Sequence, residues 1–360
     1  MNTLLTQALI TTAIAVLACI VLMPNLIRWS VKLRLVDIPN ERKLHKDPIP
    51  SIGGLVMMLS LLIAFALSAG MRQLFVQYWA VGVMLLVLAV TGVLDDRLNL
   101  PAKLRLLIQL AGGFLLAWQD IRLHSLHGIF GIGDIPVWLQ YALNMLLVAG
   151  VTNAFNLLDG IDGLAGSIGF INVLVFAVVM YMLGQLQWLV LLLPFAGVLL
   201  VFLKYNWRPA RLFMGDGGSL VLGFLVAVMG IISVEHAYAQ TIVAPDVILV
   251  LVSATMMLPV MDTLRVFYTR IQQGRSPFSA DKNHLHHWFV RQHLVHSQAT
   301  TRVSVFHLLL IGFSVIMVFA VAASWVVLWQ IALLFLYSKF LQLNLLFKRW
   351  YRFIKRMESA

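Results

Sequence analysis

The sequence is poor in charge: only 11% of its 360 residues are Asp, Glu, Lys or Arg, whereas 61% are hydrophobic. Soluble domains carry about 25% charged residues, so this chain lacks the polar surface that a water-soluble globule of its size needs. A cytosolic enzyme, a secreted domain and a disordered protein are therefore excluded. Because the apolar runs are continuous, the composition favours a membrane protein built from helices.

Cysteine is nearly absent as well. The single cysteine, Cys19, lies inside an apolar stretch, which excludes an intramolecular disulfide and a cysteine-based zinc site. The chain also lacks a Gly-rich Walker loop, which excludes an ATP-driven pump of that kind. It contains no internal repeat and no linker, so we predict a single integral membrane domain over residues 1–360.

Eleven apolar segments are long enough to cross about 30 Å of hydrocarbon, which predicts an all-α polytopic membrane protein with about eleven transmembrane helices. The loops between them alternate between two sides, and all of the 26 basic residues except Arg72 and Arg122 fall on one side. The positive-inside rule therefore places the N-terminus outside and the C-terminus in the cytoplasm. The predicted spans are 5–27, 52–70, 77–94, 104–119, 136–152, 164–183, 186–203, 218–234, 243–264, 304–322 and 324–345.

The few acidic residues gather in clusters on the predicted cytoplasmic side. Asp95 and Asp96 end one apolar run, Asp159 and Asp162 lie among two Asn and two Asp-Gly pairs, and Asp216 lies in a Gly-rich segment. A single Asp at a helix end is usually an N-cap or a solvated loop residue, but three clusters on one face are not explained in this way. Carboxylates at membrane depth mark a site, and carboxylate and amide oxygens suit Mg²⁺.

A histidine-rich loop adds basic groups on the same side. His284, His286 and His287 lie within four positions, near several Arg and Lys residues, which favours a pocket for a polyanion. Two alternatives are a basic loop that contacts anionic lipid headgroups and a zinc site, although no Cys or acid has zinc-site spacing. Acids for a metal and basic groups for phosphates indicate phosphoryl transfer at the membrane. The basic residues mostly report topology, so no nucleic-acid partner is expected.

Five motifs follow one another along nearly the whole chain. By these motifs the chain resembles the polyprenyl-phosphate N-acetylhexosamine-1-phosphate transferases, in the WecA and teichoic-acid-initiating branch of the MraY superfamily (glycosyltransferase family 4). The motifs are Asp37–His45 with Pro48, Pro50, Gly53 and Gly54; Leu94–Arg97; Asn153–Leu164; Phe213–Ser219; and Ser276–His287.

The resemblance implies transfer of a sugar 1-phosphate from a UDP-N-acetylhexosamine, most simply UDP-N-acetylglucosamine, to undecaprenyl phosphate, with release of UMP. It implies Mg²⁺ as the cofactor, with Mn²⁺ as an alternative, and a first step of O-antigen, lipopolysaccharide or teichoic-acid synthesis. GalNAc, QuiNAc, FucNAc and UDP-MurNAc-pentapeptide stay open as donors. From another class, an anionic-metabolite transporter also stays open, although it predicts charged or broken helices near the middle of the membrane.

The resemblance also implies a location. We expect a multi-pass protein of the bacterial inner membrane, in contact with the lipid bilayer; the oligomeric state stays open, with a homodimer as one alternative. The active site is expected on the cytoplasmic face, formed by the loops near 28–51, 95–105, 152–163, 204–218 and 265–303.

The family pattern assigns roles to individual residues. Asn156 and Asp216 are expected to bind the metal, whereas Asp95 and Asp96 are expected to be catalytic at the lipid phosphate, as base or as positioning group. In-line attack by the lipid phosphate and a covalent aspartyl-phosphate intermediate both stay open. The residues expected to bind substrate are Lys43, Arg105, Asn153, Asp159, Asp162, Phe213, His284, His286 and His287.

Overall fold

The structure, a computed structural model, describes residues 2–33, 35–37, 48–240, 243–276, 285, 288 and 294–358. Within these residues two short strands, β1 (Val36–Asp37) and β2 (Ile49–Pro50), pair antiparallel with Val36 opposite Pro50. Everything else that is regular is helical. The α-helices are α1 (Asn2–Leu33), α2 (Gly53–Leu67), α3 (Ala69–Gln77), α4 (Trp79–Leu98), α5 (Ala102–Trp118), α6 (Val137–Leu158), α7 (Leu164–Met182), α8 (Leu189–Asn206), α9 (Asp216–Ala239), α10 (Pro245–Gln272), α11 (His296–Met317) and α12 (Ala323–Glu358).

The long helices account for the predicted spans. In the described part of the chain nine helices are long and apolar enough to cross a membrane, and the bent pair α2–α3 raises the number to ten. The predicted span 104–119 coincides with α5, whose 17 residues extend only about 26 Å. Nine of the eleven predicted spans coincide with these nine helices, 52–70 falls on the bent pair α2–α3, and 104–119 falls on α5, so an all-α polytopic membrane protein is confirmed with nine or ten candidate spans among the described residues.

α9 is the central helix of the bundle, and its whole apolar span is buried. Glycines let two neighbouring helices touch its first turn. A methyl group at Gly92 of α4 would lie 2.2 Å from the backbone N of Gly217, and one at Gly54 of α2 would lie 2.1 Å from the backbone N of Gly218. Both distances are too short for any side chain, so α2 and α4 meet α9 backbone to backbone.

The chain that leads into α9 is fixed by backbone hydrogen bonds. Phe213 N–H donates to the carbonyl of Pro50 at 2.8 Å, and the N–H groups of Gly53 and Gly54 donate to the carbonyls of Phe213 and Met214 at 2.9 and 2.7 Å. Gly215 then turns the chain with a φ of 71°, a conformation that disfavours side chains with a Cβ. Together these contacts determine where Asp216, the first residue of α9, is presented.

The opposite end of α9 carries Glu235, which lies against the loop between α5 and α6. His124 of this loop donates its backbone N–H to Oε1 of Glu235 at 3.2 Å, and its Nδ1 lies 2.6 Å from Oε2. His127 Nε2 lies 3.3 Å from Oε1. α9 therefore connects a cluster of acids at its start to a histidine-rich cluster near its end.

Candidate active site

Arg105 connects the ends of two helices. Asp95 lies in the last turn of α4, Asp216 begins α9, and Arg105 lies in the first turn of α5. Nη1 of Arg105 donates to Oδ2 of Asp95 and, at 2.9 Å, to Oδ2 of Asp216. The other oxygen of Asp95 accepts the backbone N–H of Leu100 at 2.6 Å. Three of the predicted site residues thus meet, and Arg105, predicted as a phosphate ligand, contacts two carboxylates.

Asp96 is adjacent to Asp95 in sequence but has different partners. Both of its carboxylate oxygens lie 3.1 Å from the backbone N of Asp216, and Gly217 N–H also donates to it. The first turn of a helix has unpaired N–H groups and a partial positive charge. Asp96 therefore caps α9, and its contacts in the structure are those of a positioning group.

Asn156, at the end of α6, lies beside Asp216. Its Nδ2 donates to Oδ1 of Asp216 at 2.8 Å and to Oγ of Ser219 at 3.0 Å. The hydroxyl of Ser219 donates to the carbonyl of Gly215 at 3.2 Å, so its oxygen accepts from Asn156. Both amide protons of Asn156 are used, which leaves its Oδ1 as the atom available to a cation or a substrate donor.

Asn153 lies one turn earlier on α6, on the same face as Asn156. Its Nδ2 donates to the backbone carbonyl of Ala149 at 2.9 Å and to Oε1 of Gln109 on α5. Gln109 lies one turn after Arg105, so one face of α5 meets one face of α6. The sequence did not point to Gln109.

Asp162 lies in the loop between α6 and α7 and fixes the start of α11. Its Oδ1 lies 3.0 Å from Nδ1 of His296, and its backbone carbonyl accepts the hydroxyl of Thr300 at 2.7 Å. Its Oδ2 accepts the backbone N–H of Ala210 at 3.3 Å. Asp162 was predicted to bind substrate, and the structure shows it bound to two segments of the protein, the start of α11 and the loop before α9.

Asp159 directly follows α6 and lies close enough to Asp96 and Asp162 for their charges to affect it. Burial, together with the negative charges of Asp96 and Asp162, raises the pKa of Asp159 from its usual value of 3.8 to about 7. A carboxyl with such a pKa is close to half ionised at neutral pH. A cation that entered the cluster would favour its ionised form.

Phe213 is the one remaining predicted site residue that the structure describes. Phe213 is half-buried just before α9, and its backbone binds Pro50 and Gly53. Leu285, within the predicted histidine loop, donates its N–H to the buried carboxylate of Asp262 at 3.1 and 3.2 Å. The predicted ligands Lys43, His284, His286 and His287 lie outside the described residues.

The donor set can be compared with the needs of Mg²⁺. Among the described residues no three His, Cys, Asp or Glu side chains converge as a metal site. Mg²⁺ is, however, usually bound through one or two carboxylates plus substrate phosphates and water. The Asp216 carboxylate and the free Oδ1 of Asn156 fit this pattern, since both are oxygen acceptors where the end of α6 meets the start of α9.

Two contacts of this site carry no signal in the sequence. Gln109 is a lone amide in an apolar helix, and His296 lies beyond the histidine-rich motif, at a helix start. The one hint for Gln109 is its spacing of four residues from Arg105, which places both on one face of a helix. Neither residue belongs to the five motifs.

The chain was compared with known proteins. A family model described as glycosyl transferase family 4 matches residues 78–234, the region from α4 to most of α9. The chain is 31% identical over 356 residues to the probable undecaprenyl-phosphate N-acetylglucosaminyl 1-phosphate transferase of Bacillus subtilis, which covers 96% of this chain and 95% of that protein.

Two further relatives carry a closely related name, undecaprenyl-phosphate alpha-N-acetylglucosaminyl 1-phosphate transferase. The chain is 30% identical to the one from Escherichia coli over 336 residues, 91% of this chain and 88% of that protein. It is 29% identical to the one from Yersinia pestis over 337 residues, 91% of this chain and 89% of that protein.

Proposed function

Because the chain belongs to glycosyl transferase family 4, we propose that it transfers N-acetylglucosamine 1-phosphate from UDP-N-acetylglucosamine to undecaprenyl phosphate and releases UMP. The observation that carries the proposal is the bridge from Arg105 to Asp95 and Asp216, with Asn156 on the same carboxylate. It joins a cation and oxygen acceptors at the ends of α4, α5, α6 and α9. The names of the relatives support the two substrates.

The reaction places two anions in contact. A phosphate oxygen of the lipid attacks the β-phosphorus of the nucleotide sugar, and the bond from that phosphorus to the bridging oxygen breaks. The electron pair of this bond leaves with UMP. Phosphoryl transfer asks the protein chiefly for positioning and charge stabilisation, because the lipid phosphate, with a second pKa near 6, needs no strong base at neutral pH.

Five side chains of the site have a role in this scheme. Arg105 offsets the negative charge of the phosphates, and Asp95 orients its guanidinium. Asp96 holds the first turn of α9, so that Asp216 stays in place. Asp216 and Asn156 would hold Mg²⁺, which when bound supplies charge neutralisation at the diphosphate oxygens.

The location of the site suits substrates of opposite solubility. The polyprenyl tail belongs in the bilayer, whereas the nucleotide sugar is a water-soluble dianion. A site at helix ends is accessible to both. We place this site on the cytoplasmic face of the bacterial inner membrane, because nearly all basic residues fall on the side of Asp95 and Asp216.

The direct test uses the purified protein in detergent with undecaprenyl phosphate, Mg²⁺ and a panel of UDP-sugars. We expect UMP release with UDP-N-acetylglucosamine and its loss when EDTA replaces Mg²⁺. Release with a different sugar only would correct the donor. An absence of UMP from every sugar tested would contradict the transferase proposal.

The proposed face can be tested separately, because Cys19 is the only cysteine of the chain. In a Cys19→Ser background, a cysteine replaces Arg208 in the exposed loop before α9 or Gly133 in the exposed loop between α5 and α6. In intact cells a membrane-impermeant maleimide should label the Gly133→Cys variant alone. Labelling of Arg208→Cys alone would reverse the proposed orientation.

A further inference from the structure

Gln109 is fully buried where α5 meets α6. Its side chain is 1% exposed, and its Oε1 accepts a proton from Nδ2 of Asn153. Its Nε2 is buried and has no hydrogen-bond partner among the residues that the structure describes. A buried amide nitrogen without a partner lowers stability, whereas a methionine would fill similar space with no such cost.

The hydrogen bonds fix which way both amides face. The carbonyl of Ala149 can only accept, so Nδ2 of Asn153 must face it. The second N–H of Nδ2 then donates to Gln109. Gln109 must accept this hydrogen bond with Oε1, because Nε2 is itself a donor and two donors cannot form a hydrogen bond. Oδ1 of Asn153 is therefore the atom that stays available on the half-exposed side of this residue.

The retained cost has a functional explanation. Active sites commonly keep groups that lower stability when these groups determine the geometry of the reaction. Gln109 shares a face of α5 with Arg105, and Asn153 shares a face of α6 with Asn156. The unpartnered amide thus lies next to the proposed site, one turn of helix away on both sides.

We propose that Gln109 is a positioning residue that holds Asn153 with Oδ1 turned outward, as an acceptor for an N–H or O–H donor of the nucleotide sugar. This inference rests on the proposed function and deepens it. It predicts that Gln109 affects recognition of the UDP-sugar through Asn153. A substitution of Gln109 should leave binding of the lipid phosphate and the chemical step unchanged.

The main test is Gln109→Met, which removes the acceptor at nearly constant length. We expect the KM for UDP-N-acetylglucosamine to rise about tenfold, the effect of losing one well-oriented hydrogen bond to a buried polar group. The kcat and the KM for undecaprenyl phosphate should stay close to wild type. The Tm should change little, because the loss of the unpartnered Nε2 offsets the loss of an acceptor for one N–H of Asn153.

Rescue and coupling distinguish this role from a structural one. Gln109→Glu keeps an acceptor oxygen for Asn153 and should recover most of the lost affinity. Asn153→Ala should raise the same KM, and Gln109→Met added to it should cause little further change, since both act on one contact. Additive effects in this cycle, or a lower Tm with an unchanged KM, would overturn the proposal.

Asn144 supplies a matched control. It lies on the same helix, is buried, and donates its Nδ2 to the carbonyl of Gly113 on α5 at 2.8 Å. Asn144→Ala should lower the Tm and leave the KM for the nucleotide sugar unchanged. An equal rise of that KM in both variants would attribute the effect to general loosening of the α5–α6 contact and contradict the proposal.

A binding measurement separates this inference from the proposed function. Calorimetry with UMP needs no turnover, and Gln109→Met should bind UMP or UDP-N-acetylglucosamine about tenfold more weakly than wild type. If wild type released no UMP from any sugar, the transferase proposal would fail, while weaker nucleotide binding by Gln109→Met would still support its positioning role. Equal binding by wild type and Gln109→Met would refute that role.

Discussion

The two ends of α9 carry charged clusters of different design. At its start, the acidic end comprises Asp95, Asp96, Asp159, Asp162 and Asp216 with Arg105. Near its other terminus, the histidine end comprises Asp120, Arg122, His124, His127 and Glu235. Both clusters lie where α9 meets its neighbours, and both contain carboxylates that are partly buried. The comparison therefore isolates the effect of charge balance.

At the histidine end, the negative charges have matching partners. Glu235 contacts both histidines, and Arg122 lies 2.8 Å from Asp120. Tyr238 stacks on His127 with ring centroids 3.7 Å apart. Two carboxylates thus contact one guanidinium and two imidazoles. These contacts hold the α5–α6 loop against α9.

At the acidic end, the carboxylates outnumber the cations that contact them in the described part of the chain. Arg105 contacts Asp95 and Asp216, the imidazole of His296 contacts Asp162, and Asp96 has backbone N–H groups as partners. Like charges at short range raise each other's energy. The excess of negative charge is a cost that a bound cation would remove, so the difference between the two ends supports the proposal that the acidic end is the chemical site.

The sharpest way to break this comparison is to neutralise one acid at each end of α9. Asp216→Ala should reduce UMP release by at least about a hundredfold, because it removes a proposed metal ligand and a partner of Arg105. Circular dichroism and gel filtration should show a folded protein. Turnover near wild type in Asp216→Ala would overturn the metal assignment.

Glu235→Gln is the matched variant on the same helix, and it should retain most of the activity. A loss comparable to that of Asp216→Ala would show that the two ends act together. The contrast between a chemical end and a structural end would then be wrong.

The next effect is the pH dependence of the acidic end. With a pKa of about 7 for Asp159, kcat/KM for the nucleotide sugar should be about tenfold lower at pH 6 than on its alkaline plateau, if the ionised form is the active one. Asp159→Asn should lack this limb. An unchanged limb in that variant would assign the titration to another group.

Protonation of Asp159 also affects the stability of the folded protein, in a direction that its pKa determines. Because the folded-state pKa of Asp159 lies above its ordinary value of 3.8, the folded state binds the proton more tightly. This contribution to stability is complete below pH 3.8 and is lost as the pH rises through about 7. Asp159→Asn should therefore raise the Tm relative to wild type at pH 8 more than at pH 5.

The acidic end could largely be predicted from sequence, and the histidine end could not. Asp95, Asp159 and Asp216 belong to motifs in an acid-poor chain, where each carboxylate at a helix end stands out. His124 and Glu235 are separated by a long stretch of chain, and only the packing of α9 against the α5–α6 loop brings them together. The same holds for Gln109 and Asn153, since a single amide in an apolar run carries no pattern.

Helix ends show a second limit. The predicted spans 243–264 and 324–345 follow apolar runs, whereas α10 continues to Gln272 and α12 to Glu358. Polar residues after a span keep the helical conformation in water or at the interface, because the backbone hydrogen bonds continue. Hydropathy reports the membrane and not the helix.

A smaller effect tests whether the acidic end also contains a structural carboxylate. Asp96→Ala should lower the stability by about 1 kcal/mol, the usual cost of losing a helix N-cap. Asp96→Asn keeps an oxygen for the N–H of Asp216 and should lose less. Thermal unfolding of both variants measures the cap, and equal Tm values would exclude it.

Activity of the same pair separates capping from catalysis. If Asp96 only positions α9, UMP release should follow stability, with Asp96→Asn more active than Asp96→Ala. An Asp96→Asn protein that is stable but inactive would return Asp96 to the catalytic group.

The smallest expected effect sharpens the description of the histidine end. Burial lowers the pKa of His124, but hydrogen bonds to Glu235 and Asp120 and their negative charges outweigh it, so the pKa is raised above 6.5. The stability that this provides is complete below pH 6.5 and is lost as the pH rises through the folded-state pKa. Because His124 is 39% exposed, screening should keep the effect below about 1 kcal/mol.

The Tm of wild type should fall slightly between pH 6 and pH 8, and His124→Gln should weaken this slope without changing UMP release at pH 8. If the change of Tm with pH stayed the same in His124→Gln, the α5–α6 loop would be held on α9 by packing, such as the stack of His127 on Tyr238, and not by the charge of His124.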